Sequence, residues 1–212
     1  MPKTILDKIT GGREYRRVAD ITIRSASDDE RIVEGYATTF NSTYTLYSWD
    51  DYEVLEQIDP HAFDDCDMSD VILQYNHEGR VFARISNGTL ELTADKVGLH
   101  VRADLGGTEA GRQLYEEISG GYTTKMSFGF VVGEDSRTIT EDHEHNKTTV
   151  LRTITKISKL YDVSAVSIPA NDATEISARG VGEGVIAEIR EELATAEKIK
   201  DQRARIRVLA NY

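Results

Sequence analysis

Ser127 and His77 are the residues of this chain best placed for nucleophilic chemistry. Ser127 stands in Lys125-Met126-Ser127-Phe128-Gly129-Phe130, and His77 stands in Asn76-His77-Glu78-Gly79. A serine hydroxyl becomes a nucleophile only when a base takes its proton, and that base needs a third group to orient it. Met126, Phe128, Phe130 and Val132 alternate, which turns one strand face toward a core and leaves Ser127 and Gly129 on the other. Gly129 leaves room for a substrate backbone to approach the serine. His77 follows the apolar run Val71-Ile72-Leu73-Gln74-Tyr75 and precedes a glycine, so its ring is displayed from a constrained loop. The orienting acid has several candidates. Asp162, within Leu160-Tyr161-Asp162-Val163-Ser164-Ala165-Val166, is the carboxylate most in need of a partner, because its neighbours are apolar or small.

The elements that must position these residues are mostly short strands. Alternation predicts strands over residues 18–23 and 32–37, joined through Ser27-Asp28-Asp29-Glu30, and another over 52–58. Pro60 suits the first position of a short helix reaching Phe63. Strands over 71–75 and 81–85 flank the His77 loop. Asn87-Gly88 signals a hairpin between 81–86 and 89–93. Residues 99–105 alternate cleanly as a half-buried strand. The period then changes: Ala110, Leu114 and Ile118 predict a helix that Thr108 caps and Gly120-Gly121 stops. Strands resume over 123–132 and 149–168, around a polar tip at Glu141-Asp142-His143-Glu144-His145-Asn146. After the glycine-rich boundary at Gly180-Val181-Gly182-Glu183-Gly184, residues 185–209 lack proline and glycine. They predict an amphipathic helical tail that docks on its own domain or on a partner. The domains read as an N-terminal extension (1–15), a main domain (16–179), and a glycine linker with helical tail (180–212).

Composition narrows the function classes. With 39% hydrophobic and 29% charged residues, the 212-residue chain reads as globular, with no run long enough to span a bilayer. Residues 1–7 lack the apolar core of a signal peptide. The lone Cys66 permits no intrachain disulfide, favours a reducing compartment, and reads equally as a small buried hydrophobe or a reactive thiol. A net charge of -12 argues against a nucleic-acid partner held by the overall field. Nine acids and no lysine or arginine fall between Asp50 and Asp70, which reads as a solvated face or as an attractor of a basic segment. Asp142-His143-Glu144-His145 lacks the outlying Cys or His pair of a zinc site, so no metal is expected. Gly106-Gly107 and Gly120-Gly121 lack the Walker or dinucleotide pattern, so no nucleotide cofactor is expected either.

Taken in order, several pieces resemble the prohead (capsid-maturation) proteases of tailed bacteriophages, distant relatives of the herpesvirus assemblins. They are Glu34-Gly35-Tyr36-Ala37 with Phe40-Asn41, Glu56-Gln57-Ile58-Asp59-Pro60-His61-Ala62-Phe63, Asn76-His77, and Gly88-Thr89-Leu90-Glu91-Leu92 with Gly98-Leu99. The Ser127-Phe128-Gly129-Phe130 core follows, and then Leu160-Tyr161-Asp162-Val163-Ser164 running into Pro169-Ala170-Asn171. The resemblance covers about residues 20–178. It implies an α+β fold with a β-barrel-like, mostly antiparallel core flanked by helices. It also implies a serine endopeptidase acting inside the assembling prohead in the host cytoplasm. Ser127 takes the place of the nucleophile, His77 of the general base and Asp162 of the orienting third member. The family usually carries Glu at that third position and the herpesvirus relatives a second histidine, so His143 and His145 stay open as alternatives. The implied partners are capsid protein and scaffold or delta region as substrate, with self-processing and self-association, and neither nucleic acid nor membrane. Two readings compete with this one: a non-catalytic assembly or scaffolding protein of the same fold, and a β-rich module binding metal at Asp142–His145.

Overall fold

The computed structural model describes residues 13–23, 31–49, 51–167, 189, 191–195 and 198–199. The fold is α+β. Ten strands form one curled, mostly antiparallel sheet. They are β1 (Arg13–Ile23), β2 (Ile32–Thr39), β3 (Tyr44–Trp49), β4 (Tyr52–Ile58), β5 (Ile72–Tyr75), β6 (Glu78–Arg84), β7 (Leu90–Ala94), β8 (Gly98–Asp104), β9 (Lys125–Asp142) and β10 (Lys147–Val166). The main path runs β3-β4-β10-β9-β1-β2-β8-β7, with β5 on β10 and β6 on β5. β10 is the spine: antiparallel to β9 along its length, it is parallel to β4 at one end and to β5 at the other.

The sheet curls around a core of Leu99, Val101, Leu105, Phe128, Phe130, Ile154, Ile157 and Val163, all fully buried. Phe128 and Phe130 stack with ring centroids 4.5 Å apart. α1 (Glu109–Ser119) adds Leu114 and Ile118 to this core. The Thr108 hydroxyl caps the helix by accepting from the Gly111 amide, and Gly121, at φ 74, turns the chain away after it. Among the described residues of the tail, Ile189 and Leu193 bury against Leu46, Val54 and Val150. Arg137 Nη1 donates to Glu192 Oε1 at 2.9 Å beside them.

Two expectations need correction. Residues 60–65 form turns closed by bonds such as Ala62 N–H to Asp59 O at 3.0 Å, not a helix from Pro60. Asn87-Gly88 closes a 3-10 turn over Ile85–Asn87, with Gly88 left-handed at φ 75, and does not make a hairpin. The strands on either side find other partners, β6 with β5 and β7 with β8. The long hairpin tip also begins later than a strand ending at 132 suggests, because β9 continues to Asp142. There β9 is an edge strand paired only with β10, whose other side carries β4, so its polar residues face water.

The acid-rich run from 50 to 70 is not a free anionic face. Glu53 pairs with Lys147, Asp65 with Lys156, Asp67 with Lys159 and Asp70 with Arg84. Glu56 is fully buried in a network with Arg16, Arg152 and Glu14, and the Tyr44 hydroxyl donates to it at 2.5 Å. Burial opposes ionisation of Glu56, yet the Arg16 and Arg152 guanidiniums overcome it and hold its pKa down at about 2. Burial likewise disfavours the charged form of Arg16, and Glu56 and Glu14 more than reverse that. These charges join β1, β4 and β10, since breaking one partner of a buried pair costs about 3–5 kcal/mol.

Candidate functional site

His77 sits in a turn that sequence pattern alone does not reveal as strained. Tyr75 pairs with Glu78, so Asn76 and His77 are the two central residues of a tight β5–β6 hairpin. Both have positive φ, 52° and 61°, which marks a type I′ turn. Glycine is the favoured residue at the second of these positions, and a histidine there carries backbone strain of about 1–2 kcal/mol. The Asn76 side chain holds the turn. Its Oδ1 accepts from the Ser167 amide at 3.1 Å, while the Asn76 backbone N–H donates to Ala165 O at 2.9 Å.

Asp162 reaches the site through a bulge. Leu160 opposes Phe130 and Asp162 opposes Gly129, so β10 spends one extra residue, Tyr161, where β9 advances by one. A one-residue shift reverses which face a side chain points to. The bulge therefore leaves Leu160 in the core and moves Asp162 and Ser164 to the side of Ser127, which opposes Ser164 directly.

These elements bring Ser127, His77 and Asp162 into one hydrogen-bonded chain. His77 Nε2 lies 2.6 Å from Ser127 Oγ, and His77 Nδ1 lies 2.5 Å from Asp162 Oδ2. The carboxylate and serine are buried, and the imidazole is 16% exposed. A carboxylate accepts only, so Nδ1 carries the imidazole proton and Nε2 is left to accept from the serine hydroxyl. Ser164 Oγ donates to the same Asp162 Oδ2 at 2.9 Å. Asp162 Oδ1 accepts no hydrogen bond from the described residues and lies directly above Gly129. A Cβ at Gly129 would stand 2.4 Å from that oxygen and 2.8 Å from Tyr15 Cε1. The glycine is there for this close approach. Such an arrangement can pull a proton from the serine hydroxyl and return it to a leaving group.

The other sequence candidates lie elsewhere. His143 and His145 occupy the exposed tip of the β9–β10 ribbon, fifteen residues along β9 from Ser127, roughly 50 Å of extended strand. There His145 Nδ1 pairs with Asp142 at 2.9 Å and His143 faces Glu141 at 3.7 Å. Among the described residues no three metal-ligating side chains converge, and no helix is long and apolar enough to cross a membrane. Burial pushes the half-buried Cys66 thiol up to about 11, which makes it a poor nucleophile. Sequence reasoning missed Tyr15, whose ring stands edge-on to His77 with centroids 4.4 Å apart at 61°. It fell in the stretch read as an extension, although its neighbours Glu14 and Arg16 are buried in β1.

The sequence profile of one protein family, described as caudovirus prohead serine protease, matches residues 19–185. No curated protein and no solved structure gives a significant match to the chain.

Proposed function

Because the chain belongs to the caudovirus prohead serine protease family, we propose that it is a serine endopeptidase of capsid maturation, with Ser127 as nucleophile, His77 as general base and Asp162 as orienting acid. The observation that carries this reading is the continuous path from Ser127 Oγ through both imidazole nitrogens to Asp162, with contacts of 2.6 and 2.5 Å.

In the reaction, Ser127 Oγ attacks a peptide carbonyl while His77 Nε2 takes its proton. The imidazolium formed carries two N–H groups, and Asp162 stabilises it through the Nδ1 bond. His77 then protonates the departing amine, leaving an acyl group on Ser127. Water, deprotonated by the same Nε2, releases that group and restores the hydroxyl. Asp162 keeps its negative charge throughout, held by Ser164 on the oxygen that His77 uses. The substrate is capsid or scaffold protein, and the site of action is the assembling prohead.

Co-expression with the cognate capsid protein, wild type against Ser127→Ala, tests the proposal by intact-mass analysis of both polypeptides. Shortened products in the wild type alone are the expected result. Shortening in both would move the nucleophile elsewhere. Particles that assemble with neither polypeptide cut would favour a scaffolding role instead.

A further inference from the structure

We propose that Tyr15 is a positioning residue for the His77–Asp162 pair, supplied by the part of β1 that lies ahead of the family match at residue 19. The inference rests on the reading of Ser127, His77 and Asp162 as a triad and adds a fourth member from a different strand.

An imidazole fixed only by its two in-plane hydrogen bonds is free to tilt about the axis joining them. Tyr15 meets His77 from outside that line, edge against face. Perpendicular aromatic contacts of this kind are attractive because a positive ring edge meets a negative ring face. The tyrosine is also set against Asp162. Its Cε1 and the carboxylate Oδ1 converge on the empty space above Gly129, within 2.8 and 2.4 Å of the same point. Tyr15 Cε1 thus lies within about 5 Å of the Asp162 oxygen that accepts no hydrogen bond from the described residues. Backbone register brings this about, since Tyr15 opposes Gly129 on β9 and Gly129 opposes Asp162 on β10. Tyr15 is itself braced. The Arg13 guanidinium stacks on the Tyr161 ring at 3.7 Å and reaches the Tyr15 hydroxyl at 3.5 Å. Tyr161 is the bulge residue that turns Asp162 toward the site, so one short stack supports both partners of the imidazole.

The experiment compares wild type, Tyr15→Phe, Tyr15→Leu and Tyr15→Ala in the full chain by two readouts. The first is the rate and pH profile of Ser127 phosphonylation by an alkyl fluorophosphonate, in which Oγ bonds to phosphorus and fluoride leaves. The second is the 15N NMR signature of the His77 ring, which reports tautomer and Nδ1–H without any need for turnover. Tyr15→Phe keeps the ring and should keep both the rate and the His77 signals. Tyr15→Leu and Tyr15→Ala should slow phosphonylation by about tenfold, shift the midpoint of the pH profile, and broaden or displace the Nδ1–H resonance. Tyr15→Leu retains bulk and keeps the comparison open should the alanine variant fail to fold. Unchanged rates and His77 signals in both would overturn the proposal. So would a loss in Tyr15→Phe equal to that in Tyr15→Ala, which would assign the effect to the hydroxyl. If wild-type Ser127 fails to react, the triad reading falls, while the NMR comparison still decides whether Tyr15 orients His77.

Discussion

Replacing Gly129 with alanine should silence Ser127 while leaving the protein folded. The new methyl group would stand 2.4 Å from Asp162 Oδ1 and 2.8 Å from Tyr15 Cε1, whereas ordinary contact begins near 3.4 Å. The carboxylate must then retreat by about 1 Å, the difference between 3.4 and 2.4 Å. Its partner oxygen holds His77 Nδ1 at 2.5 Å, so the imidazole either follows or loses its anchor. A misplacement of about 1 Å in a reacting constellation costs on the order of 10²-fold in rate, roughly 3 kcal/mol of barrier. Stability should suffer far less. Overpacking costs about 1–3 kcal/mol, and removing glycine from a strand returns about 0.5–1. The net loss is then about 1 kcal/mol. The assay is the rate of Ser127 phosphonylation by a fluorophosphonate alongside the thermal midpoint, with Gly133→Ala on the same strand as control. There the added carbon meets Ser158 Oγ at 2.6 Å, a side-chain end that can rotate away from the site. A Gly129→Ala variant that reacts at the wild-type rate would refute the reasoning, and so would equal losses in the two variants.

Two further outcomes follow from the buried charges and the tail. Glu56 titrates at about 2 in the folded protein, against about 4.5 for a free side chain. Its folded pKa is depressed, so its contribution to stability is full above pH 4.5 and is lost as pH falls toward 2. That contribution is of the order of 3 kcal/mol. Urea midpoints between pH 6 and pH 3 should fall for the wild type and flatten for Glu56→Gln, whereas parallel slopes would show that other carboxylates set the acid limb. Ile189→Ala removes a fully buried side chain from the small cluster around Leu46, Val54 and Val150, at a cost of about 2–3 kcal/mol. Limited proteolysis should then cut the tail faster while the main domain stays intact. Loss of both together would make the tail integral to the domain.

Much of the scaffold was legible because its strands alternate strictly. β4 was predicted over 52–58 and is Tyr52–Ile58, and the Leu99–Ala103 pattern gave β8 within a residue. The cap and stop of α1 were equally local signals, readable from Thr108 and Gly120-Gly121. What could not be read was pairing. The hairpin expected at Asn87-Gly88 failed because β6 and β7 each gain more by pairing elsewhere, a choice that short-range pattern does not carry. At the site, Ser127, His77 and Asp162 stood out by type and neighbourhood. The devices that assemble them did not. The bulge at Tyr161 reverses a face by one residue, and the type I′ turn puts histidine where glycine is normal. Tyr15 joins across strands far apart in sequence. The Asp50–Asp70 run is solvated as expected at Asp51, Asp64, Asp65, Asp67 and Asp70, whereas the burial of Glu56 was hidden for the same reason, since its partners Arg16 and Arg152 sit on β1 and β10.

The ladder between β1 and β9 joins Tyr15 to Gly129, and the charges beside it join Glu14 to Arg152. The four side chains of the site come from the first strand, the β5–β6 turn and the last two strands. A nascent chain that has emerged only as far as β8 holds the histidine without its serine or its acid. Even a chain released through β10 must still close its earliest strand onto one of its latest, a pairing of long range and therefore slow. Timing is written into the topology. On the proposed reading, the site acquires its full set of side chains only once β1 has closed on β9.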